Sequence, residues 1–149
     1  MEAAYGRARY PRATSLRITA DSGGSNSSRS NLWKGELQRF ADRSGLTIQV
    51  NHFPPVTSKW NKIEHRTFSF ITLNWRGRFL VNLAVIVSLI GAVWTQTGLR
   101  VRAEIDRGEY PMGRKLTAGE MARVQLQPTE FHRDWNYTIT PRKRKRLRK

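Results

Sequence analysis

Residues 15–21, "SLRITAD", alternate Leu16, Ile18 and Ala20 with Arg17 and Thr19, the two-residue period of a strand with one covered face. The pattern stops at Asp21, an acid at the strand's carboxyl end, where open α/β sheets gather their ligand sites. "SGGSNSSRSN" follows as a Gly/Ser/Asn loop whose last residues can cap a helix. It lacks the Gly-Lys-Ser/Thr ending of a phosphate-binding P-loop. The next segment puts Trp33, Leu37, Phe40 and Ala41 on one helical face, and Gly45 is placed to end it. "LTIQV", 46–50, is a second alternating strand, and the prolines of "NHFPP" forbid its continuation.

A second helix is predicted from "TSKWNKIEH" through Leu73. At 100° per residue Trp60, Ile63, Thr67, Phe68, Phe70 and Ile71 share one arc, and Asn61, Lys62, His65, Arg66 and Ser69 the other. Glu64 falls inside the apolar arc. A carboxylate turned toward a core needs a partner, and an Arg or Lys across a helix interface competes here with a functional role. Core packing is the expected duty of Trp60. A third helix, buried, is predicted over 80–97, after "NWRGR". Its apolar run "FLVNLAVIVSLIGAVW" is shorter than the roughly 20 residues a bilayer needs, and Asn82 and Ser88 interrupt it, so no membrane span is expected.

"LRVRAEI", 99–105, alternates as an edge strand or hairpin arm, "TAGE", 117–120, is a capping box opening a short helix, and "DWNYTI" is a last strand. Residues 3–13 read as basic and weakly helical. The order strand, helix, strand, helix, helix predicts an α/β fold.

Charge adds a partner to this picture. The chain of 149 residues carries a formal +16, which favours a polyanion, most simply nucleic acid. Seven of the last nine residues, "PRKRKRLRK", are Arg or Lys, and subtracting those seven still leaves about +9 on the remainder. With no cysteine, disulfides and thiolate metal sites are excluded. The three scattered histidines do not make a zinc set, no serine sits in a nucleophile elbow, and "MEAAYGRARY" has no apolar signal core. What remains is Asp21 and Glu64. Hard oxygen ligands from separate elements suit Mg²⁺ or Mn²⁺, although two carboxylates alone are thin support for a two-metal site.

"ITADSGGSN", then "HFPPVTSKWNKIEHRTFSFI" and "NWRG", resemble the second half of the catalytic domain of bacterial insertion-sequence DDE transposases, closest to the Rhodopirellula-type transposase DDE domain. The likeness runs from about residue 5 to about residue 140. It implies a ribonuclease H-like α/β fold and DNA cleavage with strand transfer at transposon ends by two-metal phosphoryl transfer. Asp21 matches the second acid, Glu64 the third, and Asn61 the asparagine of the Asn-x-x-Glu motif. Lys59, Lys62, Arg66, Arg76 and Arg78 are expected to touch DNA phosphates, and Trp60 or Trp75 to stack on an unpaired base if not packed.

The family's first aspartate, carried on an earlier strand, has no counterpart here, since the only acid before Asp21 is Glu2. The expectation is therefore a partial ribonuclease H-like fold lacking its first strands, with a truncated catalytic domain over 1–140 and a basic disordered tail over 141–149. Such a chain would be inactive alone, would bind DNA in a cytoplasmic, nucleoid-associated setting, and would work with an upstream transposase segment or as a homo-oligomer. Two other readings compete. One is a non-catalytic basic nucleic-acid-binding protein in which Asp21 and Glu64 form only salt bridges. The other is a complete nuclease that recruits Glu104 or Asp106.

Overall fold

The computed structural model describes residues 6–54, 57–110 and 113–142. Its elements run β1 (Ser15–Ala20), a 3-10 turn, α1 (Asn31–Ser44), β2 (Thr47–His52), a second 3-10 turn, α2 (Lys62–Trp75), α3 (Leu83–Gly91), α4 (Ala118–Ala122), β3 (Leu126–Pro128) and β4 (Asn136–Ile139). They form two compact units, one of residues 1–60 with 113–149, the other of residues 61–112.

The first unit is a four-stranded mixed sheet in the order β1-β2-β4-β3. β1 and β2 are parallel, with Ala20 opposite His52, while β4 runs antiparallel to both β2 and β3. Parallel neighbours need a crossover, and α1 supplies it. The Ser30 hydroxyl accepts the Trp33 N–H to start this helix. Gly45, at φ 73°, ends it in the left-handed conformation that L side chains resist, and its N–H returns to the Ala41 carbonyl at 2.8 Å. Leu37 and Ala41 pack on Ile48, Val50, Tyr137 and Ile139, all buried, and this cluster is the core. Gly35 faces Leu116 so closely that a Cβ would stand 2.3 Å from a Leu116 methyl.

One polar residue binds this core together. Gln38, buried on α1, donates to the Thr140 carbonyl and to Asp42, each at 2.9 Å, and its Oε1 accepts the Gln125 N–H at 2.6 Å. It satisfies backbone groups flanking β3 and β4 that a leucine would strand.

The second unit has two helices. Asn61 caps α2 and Asn82 caps α3, each accepting the N–H three residues on. Asn74 donates to the Leu89 carbonyl at 2.5 Å, joining the helices. Beyond α3 a tight turn pairs Trp94 with Arg100 in a single bridge.

Several expectations require correction. β2 spans 47–52 rather than 46–50, because the inward alternation of Ile48 and Val50 continues to His52. Residues 99–105 form no strand: the alternation is present, but beyond the Trp94–Arg100 bridge no described neighbour completes a ladder. The helix expected over 80–97 is α3, nine residues long, and none of it is buried, since an all-round apolar helix needs cover on every side. Of residues 3–13, expected to be weakly helical, 3–5 lie outside the described residues, Gly6 and Arg7 are π-helical, and a turn closed by the Gly6 carbonyl follows. Trp60 is 54% exposed, so it is not a core residue. β3 is additional to the predicted strands. Of the expected basic tail, only Pro141 and Arg142 fall within the described residues. Among the described residues no helix is long and apolar enough to cross a membrane.

Candidate active-site elements

Asp21 leaves the carboxyl end of β1, directly after buried Ala20. Its Oδ1 accepts the Gly23 N–H at 3.0 Å, and among the described residues Oδ2 has no donor. The residue between them, Ser22, has φ 62°, an uncommon conformation for a residue with a side chain. It is held by two bonds to the strand ends: the Ser22 hydroxyl donates to the Phe53 carbonyl at 3.3 Å, and the Phe53 N–H donates to Ala20 at 2.7 Å. Backbone strain of this kind persists only where neighbours enforce it, and here it fixes the acid's turn.

Beside Asp21 lies a histidine that periodicity could have flagged. His52 ends β2 in phase with Ile48 and Val50 and is only 6% exposed. Its Nε2 pairs with the Tyr137 hydroxyl at 3.3 Å, while Nδ1 is buried without a partner among the described residues. Burial pushes the His52 pKa below its ordinary 6.5 and the Lys34 ammonium adds to this, against the opposing pull of Asp21. The ring is therefore neutral at pH 7. Burial pushes the Tyr137 phenol up to about 12, so it keeps its proton.

In the second unit, Asn61 and Glu64 form a reciprocal pair at the start of α2. Asn61 Nδ2 donates to Glu64 Oε2 at 2.7 Å, and its Oδ1 accepts the Glu64 N–H at 3.5 Å. Glu64 is exposed, with Oε1 open, and it benefits from the positive end of the helix dipole. Its expected place on an inner apolar face is thus corrected. Ile63, 77% exposed, and Phe68 share that arc and are also uncovered, while Ile71, further along it, is buried, so the covered part of the arc does not reach Glu64.

Lys59 lies in the first unit, in the turn Ser58–Trp60, and is exposed. Lys62 and Arg66, four residues apart on α2, and Arg76 and Arg78 just beyond it are exposed too, and among the described residues none of the five is held in an ion pair. Asp106, considered as a replacement acid, instead accepts the Tyr110 hydroxyl, which holds its carboxyl below the usual range, and the Gly108 N–H.

Among the described residues, Asp21 and Glu64 each keep one carboxylate oxygen without a donor, the ligand type that Mg²⁺ and Mn²⁺ prefer. Among the described residues no group of three or more His, Asp or Glu is gathered as a metal centre. The family model described as the Rhodopirellula transposase DDE domain matches residues 3–141. No curated protein and no solved structure matches the chain.

Proposed function

The chain belongs to the Rhodopirellula-type DDE transposase family, and from that footing we propose that Asp21 and Glu64 are two of the acids with which it cuts and joins DNA strands. The observation that carries this reading is the exposed Glu64 carboxylate, anchored through one oxygen by Asn61 and open at the other. An acid that merely paired a core cation would be covered. Asp21 supports it from the first unit, with one oxygen spent on its own turn and one available.

A bound Mg²⁺ or Mn²⁺ supplies Lewis acidity that makes water or a 3′-hydroxyl nucleophilic and offsets charge on the phosphodiester. The Asp21 and Glu64 carboxylates are the hard oxygen donors this chain would offer to such ions. Asn61 is a positioning residue that fixes the Glu64 side chain. Lys59, Lys62, Arg66, Arg76 and Arg78 contact backbone phosphates, which positions DNA without reading its sequence.

The site in this proposal is completed by a third carboxylate. β1 is an outer strand of the sheet, with β2 as its one neighbour among the described residues, and its free backbone edge supports docking of a further strand in a ribonuclease H-like arrangement. That strand, from an upstream transposase segment or a second subunit, would bring the acid beside Asp21. The chain alone is then inactive.

The test is Mn²⁺-dependent nicking and strand transfer with the full chain, alone and co-expressed with a segment carrying an aspartate-ended strand. Activity is expected only in the co-expressed pair and is expected to vanish in Asp21→Asn and Glu64→Gln. Full activity in either variant would refute the assignment of the acids, and robust nicking by the chain alone would refute the need for a third.

A further inference from the structure

The first unit holds a second cationic feature that the proposed chemistry does not use. A cavity of about 190 Å³ opens between α1 and the segment around α4, lined by Arg39, Arg114, Arg123 and Arg142 with Leu116 and Glu120. Its place follows from the strand register. Gln38, on its wall, bonds to Thr140 just past β4, and β4 ends beside the start of β2 because Ile139 faces Ile48. Asp21 follows the other end of the parallel pair, where Ala20 faces His52. A six-residue strand separates the two rims, roughly 17–20 Å.

Three of the four arginines are held by carboxylates, and the fourth is not. Glu36 is shared between Arg39 and Arg114, both at 3.0 Å; Arg114 also reaches Glu120 at 3.7 Å, and Asp42 takes Arg142. Arg123 has no acidic partner among the described residues. Four guanidinium groups thus converge with three carboxylates around them. Guanidinium forks match phosphate oxygens in pairs, and the carboxylates orient those of Arg39, Arg114 and Arg142 before any ligand arrives.

We propose that this arginine-lined cavity is a second nucleic-acid contact, taking backbone phosphates at the sheet rim opposite Asp21. A repeating polyanion is favoured over a small phosphate by the sequence that follows Arg142, in which six of the seven residues 143–149 are Lys or Arg. The contact is independent of the Asp21 and Glu64 chemistry.

The experiment is fluorescence anisotropy of the full chain with a labelled mixed-sequence duplex over a KCl series, with circular dichroism as the folding check. Arg123→Gln removes an exposed, unpaired cation and is expected to weaken binding and to make the slope of log K against log salt shallower by about 0.9. Glu36→Gln frees Arg39 and Arg114 and is expected to tighten binding at every salt concentration. These opposite signs keep the idea decidable if one variant folds poorly. Affinity and slope unchanged in both would overturn it. Displacement of the duplex by millimolar inorganic phosphate at matched ionic strength would overturn the choice of nucleic acid and leave a small-anion site.

Discussion

The Asn61 amide donates to Glu64 at 2.7 Å while its own oxygen receives the Glu64 N–H, so one side chain both caps α2 and orients its acid. The two duties separate by substitution. Asn61→Gly loses the donor to the carboxylate at a residue type that an N-cap tolerates for about a few tenths of a kcal/mol. It is expected to leave thermal stability nearly unchanged while weakening Mn²⁺ uptake by the completed assembly about 10–100-fold, as loss of a ligand-orienting partner does. Asn61→Ala removes both and should also cost about 1 kcal/mol of stability. Equal metal binding in wild type and Asn61→Gly, measured by calorimetry, would make the pair a cap alone.

His52 predicts a pH dependence in the near-neutral range. Its proton is bound more weakly in the folded chain than in the unfolded one, since burial and Lys34 outweigh Asp21. Acid therefore favours unfolding: this part of the stability is intact above about the ordinary pKa of 6.5 and declines as pH falls below it. His52→Gln can still bond Tyr137 but does not titrate. Urea midpoints for the variant are expected to be flatter than wild type below pH 6.5; parallel curves would show that His52 does not carry the dependence.

The parts legible in the sequence were those whose signals are local. The alternation in β1 and β2, the Ser30 and Gly45 boundaries of α1 and the Thr117–Glu120 capping box each occupy a few consecutive residues, and each appears in the structure. Where the reading depended on a distant partner it failed. Residues 99–105 alternate without a ladder among the described residues, and α3 is apolar yet has no fully buried residue. The arc containing Glu64 was assigned an inside on the assumption that apolar means buried, yet Ile63 and Phe68 lie open. β3 escaped because three residues ending in Pro128 give no period to detect. Gln38 escaped because its value lies in groups about a hundred positions away. Of the site, residue types and spacing gave the carboxylates, but not the strained Ser22 turn or the buried His52–Tyr137 pair, which exist only once the strands are registered.

Asp42 predicts a separate, more acidic transition. Burial pushes its carboxyl up, but hydrogen bonds from the Arg142 guanidinium and backbone and from Gln38 outweigh this and hold it below its ordinary 3.8. A depressed carboxyl stabilises the fold above its unfolded value, and the benefit goes as pH falls below 3.8 through the folded value. Asp42→Asn should lower stability at neutral pH by about 1 kcal/mol, discounted for the exposure of Arg142, and should narrow the gap to wild type under strong acid. A constant gap across that range would place the effect in packing instead.

Gln38 is the position where the first unit is expected to be most sensitive. Its three bonds satisfy the Thr140 carbonyl, the Gln125 N–H and one oxygen of Asp42 inside an otherwise apolar contact between α1 and the sheet. Gln38→Leu would preserve volume but leave two backbone groups without partners, each costing about 1–3 kcal/mol when buried. Gln38→Glu keeps the acceptor for Gln125 yet loses both donors and sets a second carboxylate beside Asp42. Both variants are therefore expected to lose about 2–4 kcal/mol in urea unfolding at neutral pH. Glu should recover part of its deficit as acid protonates it, because the protonated carboxyl regains a donor. If Leu proved as stable as Gln, the polar contacts would be replaceable by hydrophobic area, and α1 would be held to the sheet by its apolar residues, Leu37 and Ala41 with Trp33 and Phe40.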